Sequence, residues 1–146
     1  MVLFALRMRT RVNWLGKHTL FNTWYGWFMR LMGGVPVDRR APQGLVQQVV
    51  QVFNERERMI LVVPPEGKRA RADYWRTGFY YMALNAGVPI VMAYVDYPSK
   101  TIGIGPVLHP TGDIEADLEH FREFYAPYQG KYPELQGEIR LRPPEE

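Results

Sequence analysis

The sequence predicts a single α/β domain with a mixed, largely parallel sheet and helices on both of its faces. Three observations predict this class: apolar runs of strand length alternate with segments of helical periodicity, 47% of the 146 residues are hydrophobic, and neither an internal repeat nor a linker divides the chain. We assign residues 1–132 to this domain and expect 133–146 to be a loosely ordered tail.

Four segments have the pattern of strands. From Leu6 to Trp14, apolar or neutral residues alternate with Arg and Asn, which is the period of a half-buried strand. Met59–Val63 is a continuous apolar run rich in branched residues, as expected of a strand covered on both faces. Val88–Val95 and Ile102–Val107 form two further apolar strands, with a turn at Pro98-Ser99 between them.

Four segments have helical spacing. Aromatic and apolar residues recur at that spacing in Thr19–Met32, before the stop signal Gly33-Gly34, and again in Gly44–Arg58. A third helix is predicted over Arg76–Asn85. The fourth follows Asp113, whose side chain is a suitable N-cap.

The net charge of +3 is distributed unevenly. Residues 1–72 contain 12 Lys or Arg and 4 Asp or Glu, whereas residues 73–146 contain 6 and 11. A basic half favours an anionic partner: a nucleic acid, a phosphorylated metabolite or membrane headgroups. Zero Cys excludes a disulfide framework and a cysteine nucleophile. The three His are scattered away from acidic clusters, so we assign no metal site.

The N-terminal region does not have the features of a membrane span or a signal peptide. Its longest uncharged aromatic stretch, His18–Met29, is shorter than the ~20 residues that a spanning helix needs. Arginines follow the apolar start instead of preceding it. We therefore expect a cytoplasmic protein, with a peripheral position on the inner face of the membrane also open.

Two basic loops are the candidate functional sites, because ligands of α/β sheets bind at strand ends. The first, Gly33–Arg40, places two guanidinium groups beside Asp38. The second, Pro64–Arg71, has three cations in four residues after a buried strand, and its Gly67 permits close approach of a ligand. Arginine binds phosphate oxygens in a bidentate manner, so these loops suit a phosphomonoester. The alternative is that Glu66 pairs with Arg69 and the other cations are solvated.

The aromatic cluster in Trp24–Phe28 has two interpretations. Trp and Tyr favour the interface between lipid and water, which indicates contact with a membrane or an acyl chain. The alternative is an ordinary core helix. Trp27 lies off the main apolar stripe and is the better candidate for exposure.

Three blocks resemble the glycerolipid acyltransferases, the family of 1-acyl-glycerol-3-phosphate acyltransferases. Gly34-Val35-Pro36-Val37-Asp38-Arg39 resembles the second block of that family. Pro65-Glu66-Gly67-Lys68-Arg69 resembles the third, with Lys68 in place of the usual Thr, and Val88-Pro89-Ile90-Val91 resembles the fourth. The blocks occur in the family's order and at compatible spacing, and the resemblance covers residues 11–107.

The resemblance implies a phospholipid-synthesising acyltransferase with a glycerophosphate-acyltransferase-like fold. Such an enzyme transfers a fatty acyl group from acyl-CoA or acyl carrier protein, which are co-substrates, to a glycerophosphate or lysophospholipid hydroxyl at a membrane surface. No other cofactor is implied. Arg39 would hold the acceptor phosphate, with Lys68, Arg69 and the Glu66-Gly67 turn completing the pocket. The residues that would line the acyl side are Val88, Pro89, Ile90 and Val91.

The family's first block, a His followed five positions later by Asp, is not found in this sequence. His18 has Thr23 at that offset, and neither of the other two His has Asp there. We therefore assign no catalytic residue. His18 is a candidate substitute as general base, the alternative being an ordinary surface or core histidine. We expect an N-terminally shortened family member that lacks this block and the first strand.

Two alternatives from other functional classes stay open. A noncatalytic relative would bind phospholipid or an acyl carrier through the same basic loops. A nucleic-acid-binding protein would combine cations with stacking rings in the segment Lys68–Arg76. We favour the acyltransferase and expect no nucleic-acid partner.

Overall fold

The computed structural model of the protein describes residues 12–38, 40–41, 44–67 and 70–141. Cα positions divide the chain into two compact units, Met1–Pro64 and Pro65–Glu146. The expected strand start at Leu6 falls outside the described residues. The predicted α/β class is confirmed, since helices accompany a three-stranded parallel sheet.

The first unit contains the parallel sheet. Its strands are β1 (Val12–Lys17), β2 (Gly34–Val37) and β3 (Ile60–Val62), in the order β2-β1-β3. Trp14 is in register with Gly34 of β2 and Val62 of β3. The first strand of the described chain is therefore the central strand of this sheet.

Two helices connect these parallel strands. A 3₁₀ turn (His18–Leu20) and the short helix α1 (Gly26–Leu31) lead from β1 to β2, and α2 (Gly44–Asn54) leads from β2 to β3. The helix predicted over Thr19–Met32 is thus mostly turn, and α1 is its second half. A side chain at Gly26 would collide with the carbonyl of Phe21, so the close turn before α1 requires glycine at this position.

The second unit contains helices α3 (Gly78–Ala86) and α4 (Ile114–Tyr125) and strands β4 (Ile90–Asp96) and β5 (Thr101–Leu108). β4 and β5 pair antiparallel, as a sheet separate from β1–β3. Its buried cluster packs the hairpin against α4 and the start of α3: Trp75, Met92, Leu118 and Phe121.

The segment expected as a loose tail contacts the second unit throughout its described part. The backbone of Arg140 accepts a hydrogen bond from Trp75 N at 2.8 Å, and its guanidinium donates to the carbonyl of Asp73 at 2.8 Å. Arg122 Nε donates to the carbonyl of Ile139 at 2.7 Å, and Ile139 packs on the buried cluster. These contacts hold the chain as far as Leu141.

Candidate functional site

The second block forms β2 and the loop that follows it. Val35 and Val37 are buried, so Asp38 follows a firmly anchored strand at its carboxyl end. Gly34 is required by packing, because a Cβ there would lie 2.7 Å from both the Met29 carbonyl oxygen and the Phe21 ring. The glycine and valines of this block therefore fix where the loop begins.

The side chain of Gln48 holds the backbone of this loop. Its amide nitrogen donates to the carbonyl of Asp38 at 2.6 Å, and its amide oxygen accepts from the Asp38 N–H at 2.9 Å. The same nitrogen donates to the carbonyl of Gly44 at 3.0 Å, which ties the loop to the first turn of α2. Both backbone polar groups of Asp38 are thus satisfied by one residue.

His18 and Asp38 face each other where β1 and β2 end. Lys17 is in register with Val37, so the residues that follow them come together at the same edge of the sheet. His18 Nδ1 lies 3.8 Å from Asp38 Oδ1, a distance for an ion pair when the imidazole is protonated but too long for a hydrogen bond. Among the described residues, this buried nitrogen has no hydrogen-bond partner.

The described residues of the third block, Pro65, Glu66 and Gly67, begin the second unit with a turn at Pro65 and Glu66. The carbonyl of Pro65 accepts a hydrogen bond from Arg76 N at 2.9 Å, which closes the loop. Gly67 has φ +67°, a left-handed conformation that glycine adopts without strain, and a Cβ there would lie 2.7 Å from Cδ of Arg76. The backbone conformation therefore favours glycine here, and any larger residue would also push the exposed Arg76 side chain aside.

Glu66 borders a cleft in the second unit. The cleft has a volume of about 320 Å³. Its lining includes Tyr94 and Tyr128, which are stacked with ring centroids 3.8 Å apart, and also Trp75 and Tyr125. The third block thus lies beside an aromatic cleft that the sequence did not reveal, since its walls come from residues far apart in the chain.

The fourth block begins between α3 and β4. Val88 N donates to the carbonyl of Ala83 at 3.0 Å, and Pro89 is exposed before the strand begins. Ile90 packs against the buried cluster of the second unit, whereas Val91 is 49% exposed on the opposite face of the hairpin. Of the residues expected to line an acyl chain, Val91 presents the most accessible strand position.

The cations that the sequence selected, Arg39, Lys68 and Arg69, lie outside the described residues. Their convergence on one anion stays a prediction.

The described part of the basic segment bears on nucleic-acid binding. Trp75 is 9% exposed and packs edge-to-face on Phe79, Phe121 and Tyr125, so its ring is unavailable for stacking on a base.

The carboxylate of Asp117 is buried in the second unit, where hydrogen bonds hold it. Tyr80 Oη donates to Asp117 at 2.7 Å, and Thr111 N donates to it at 2.8 Å. Burial raises the pKa of Asp117, but the hydrogen bonds from Thr111 and Tyr80, with the nearby His120, outweigh it and leave the pKa below its usual range. Burial and the Asp117 hydrogen bond raise the pKa of Tyr80. This network fixes the loop before α4.

Within the described ranges, none of the helices has the length and apolar character to cross a bilayer. Over those same residues, His, Asp and Glu side chains form no cluster of three or more that could hold a metal ion.

The fold and the site define an α/β protein whose candidate binding loops lie at the carboxyl ends of parallel strands. The sequence model of the family Acyltransferase matches residues 1–96, which include the second, third and fourth blocks, and the chain belongs to this family. Membership supports a general acyltransferase function. Neither a curated protein nor a solved structure gives a significant match.

Proposed function

We propose that the protein transfers a fatty acyl group from a thioester donor, acyl-CoA or acyl carrier protein, to a hydroxyl of a glycerophosphate or lysophospholipid in phospholipid biosynthesis. The observation that carries the proposal is the family match over residues 1–96, within which the second block ends at the carboxyl end of a parallel strand. The proposal places the reaction at a membrane surface on the cytoplasmic side.

The acceptor's phosphate group is assigned to the basic loops. Arg39 follows directly after Asp38, whose backbone Gln48 holds by two hydrogen bonds, so the loop that carries Arg39 starts from a fixed point. In the sequence, Lys68 and Arg69 follow Gly67, whose φ is +67°. A guanidinium group binds phosphate oxygens in a bidentate manner, and each such bond contributes on the order of 1.5 to 3 kcal/mol. In this assignment Glu66 and Gly67 shape the turn.

The acyl side is assigned to Val88–Val91, where Val91 offers an exposed apolar surface. In the reaction, the acceptor hydroxyl oxygen forms a bond to the thioester carbonyl carbon and the carbon–sulfur bond breaks. A base takes the hydroxyl proton, which finally neutralises the departing thiolate. The imidazole of His18, next to the Asp38 carboxylate, is the candidate base.

A second candidate function is binding without turnover. The observation that favours it is that no His in the sequence has Asp five positions later, which is the family's catalytic pattern. Such a protein would bind phospholipid or an acyl carrier through the same loops.

Release of free thiol from acyl-CoA, measured with glycerol 3-phosphate or a lysophospholipid as acceptor, tests both functions. We expect turnover, and we expect Arg39→Ala to lower kcat/KM by about 10²-fold through loss of the phosphate contacts. Arg40→Ala is the matched control, because Arg40 is the adjacent exposed cation. Binding of the acceptor without thiol release would instead establish the noncatalytic function, and absence of both would contradict both candidates.

A further inference from the structure

Large apolar side chains are exposed within one short segment of the first unit. Trp24 is 86% exposed, Trp27 65% and Leu31 64%. Three further side chains of the segment are at least 40% exposed: Leu20, Phe28 and Met32. We call these six residues the aromatic surface. Apolar residues concentrated in this way on a protein surface mark an interaction site.

The aromatic surface is anchored from beneath. Phe21 is 4% exposed and packs on Trp14, with ring centroids 6.1 Å apart. The guanidinium carbon of Arg30 lies 5.5 Å from the centre of the Phe21 ring, and Arg30 Nη1 donates to the Phe21 carbonyl at 3.4 Å. Gly26 is buried against the same residue. The outward side chains are therefore presented by a fixed base.

The exposed rings also support one another. Trp24 packs edge-on against Tyr25 at 5.6 Å, and Trp27 packs edge-on against Phe28 at 6.0 Å. Because these contacts and the anchored base restrict the rings before any partner arrives, less conformational entropy is lost on binding.

The charges around the aromatic surface identify its partner. Between Val12 and Val37, the charged residues are Lys17 and Arg30, both exposed, and the segment contains no Asp or Glu. Trp and Tyr rings concentrate at the interface between lipid and water, and cations are attracted to anionic headgroups. We propose that the aromatic surface docks on an anionic lipid bilayer, with the rings among the headgroups and Lys17 and Arg30 near the phosphates.

This inference rests on the proposed function in one respect. Docking would bring the protein to the membrane in which a lipid acceptor of the acyl transfer is found. It can nevertheless fail separately, because docking is measured without turnover. Thiol release with glycerol 3-phosphate, an acceptor dissolved in water, does not require docking. Failure of the parent chain to bind anionic vesicles, with this turnover intact, would reject the docking surface alone.

The experiment is co-flotation of the full chain with vesicles of phosphatidylcholine, with or without phosphatidylglycerol. We expect binding to the anionic vesicles, weaker binding to phosphatidylcholine alone, and at least a ten-fold loss of partitioning for the double variant Trp24→Ser/Trp27→Ser. Both side chains are exposed, so we expect the variant to keep the circular dichroism spectrum of the parent. In the parent, tryptophan fluorescence should shift to shorter wavelength on binding.

Tyr97→Ser/Ile102→Ser is the matched control, because these exposed apolar residues, 49% and 47% accessible, belong to the second unit. The control should bind vesicles as the parent does. Equal loss in both double variants, unchanged binding of the tryptophan variant, or failure of the parent to bind anionic vesicles would overturn the proposal. Self-association that the tryptophan substitutions abolish, without vesicle binding, would assign the surface to a second copy of this chain and also overturn it.

Discussion

Gln48 holds Asp38 by both of its backbone polar groups, through hydrogen bonds of 2.6 and 2.9 Å. This side chain is half-buried on α2, although its position in the sequence suggests the polar, solvated face of the helix. The contact makes Gln48 a positioning residue for the second block, since the next residue, Arg39, is proposed to hold the acceptor phosphate.

We expect Gln48→Ala to raise the KM for the acceptor several-fold with a smaller change in kcat, and to lower the free energy of unfolding by about 3 kcal/mol for the three lost hydrogen bonds. Gln47→Ala, at the adjacent exposed position, should change neither. Gln48→Glu keeps the acceptor atom but not the donor and should be intermediate. Steady-state kinetics and urea unfolding make the comparison, and an unchanged KM for Gln48→Ala would remove the positioning role.

The His18–Asp38 contact gives a prediction about proton transfer. If the imidazole is the base, His18→Gln should lower kcat by on the order of 10²-fold, with little effect on the urea midpoint because the side chain is 41% exposed. His109→Gln, at an exposed position after β5, is the control. Wild-type turnover by His18→Gln would identify His18 as an ordinary histidine and require another base.

Comparing Gly67→Ala with Gly87→Ala distinguishes the effect of backbone strain on stability from the effect of the third-block turn on catalysis. Both glycines have left-handed φ, +67° and +64°, so Ala at either position should cost about 1 kcal/mol of stability. A side chain at Gly87 meets nothing within 4 Å, whereas one at Gly67 displaces Arg76. We expect Gly67→Ala to reduce acyl transfer at least ten-fold and Gly87→Ala less than two-fold. Equal kinetic effects would argue against a site at this turn.

The lowered pKa of Asp117 predicts how the free energy of unfolding changes with pH in the acid range. Its folded-state pKa is below the usual range, so its ionised form stabilises the fold fully above pH about 4, and this contribution is lost as the pH falls through the folded pKa. Asp117→Asn should lower the free energy of unfolding by about 2 kcal/mol at pH 7 and flatten its decline in acid. Glu123→Gln, exposed on the same helix, should keep the parent profile. Urea titrations across the acid range test this, and an unchanged acid decline in Asp117→Asn would contradict it.

The elements with clear periodicity were predictable, and those fixed by long-range contacts were not. The helix after Asp113 begins as predicted, with Asp113 Oδ1 accepting from Ala116 N at 3.2 Å. The antiparallel pairing of β4 and β5 follows from their short connection, Tyr97–Lys100, which cannot cross over to a parallel strand. By contrast, Gln48 carries no local signal, because an amide that clamps a distant backbone has the same sequence pattern as a solvated one.

The candidate site was predictable only as two loops. The second block was located from its residues, and the structure adds why Gly34 is needed there, namely the Phe21 ring. The approach of His18 to Asp38 depends on the register of β1 with β2, which the sequence does not specify. The aromatic cleft beside Glu66 likewise depends on the packing of α4 against the hairpin.

The position of β1 in the middle of its sheet affects how the protein is made. This strand leaves the ribosome before both of its neighbours, and its second edge stays unpaired until Val62 has been synthesised. During that interval a nascent chain exposes an unpaired strand together with the tryptophans that follow it, which favours aggregation. A chaperone that binds extended apolar segments should therefore increase the yield of folded protein most if it acts before β3 has been synthesised.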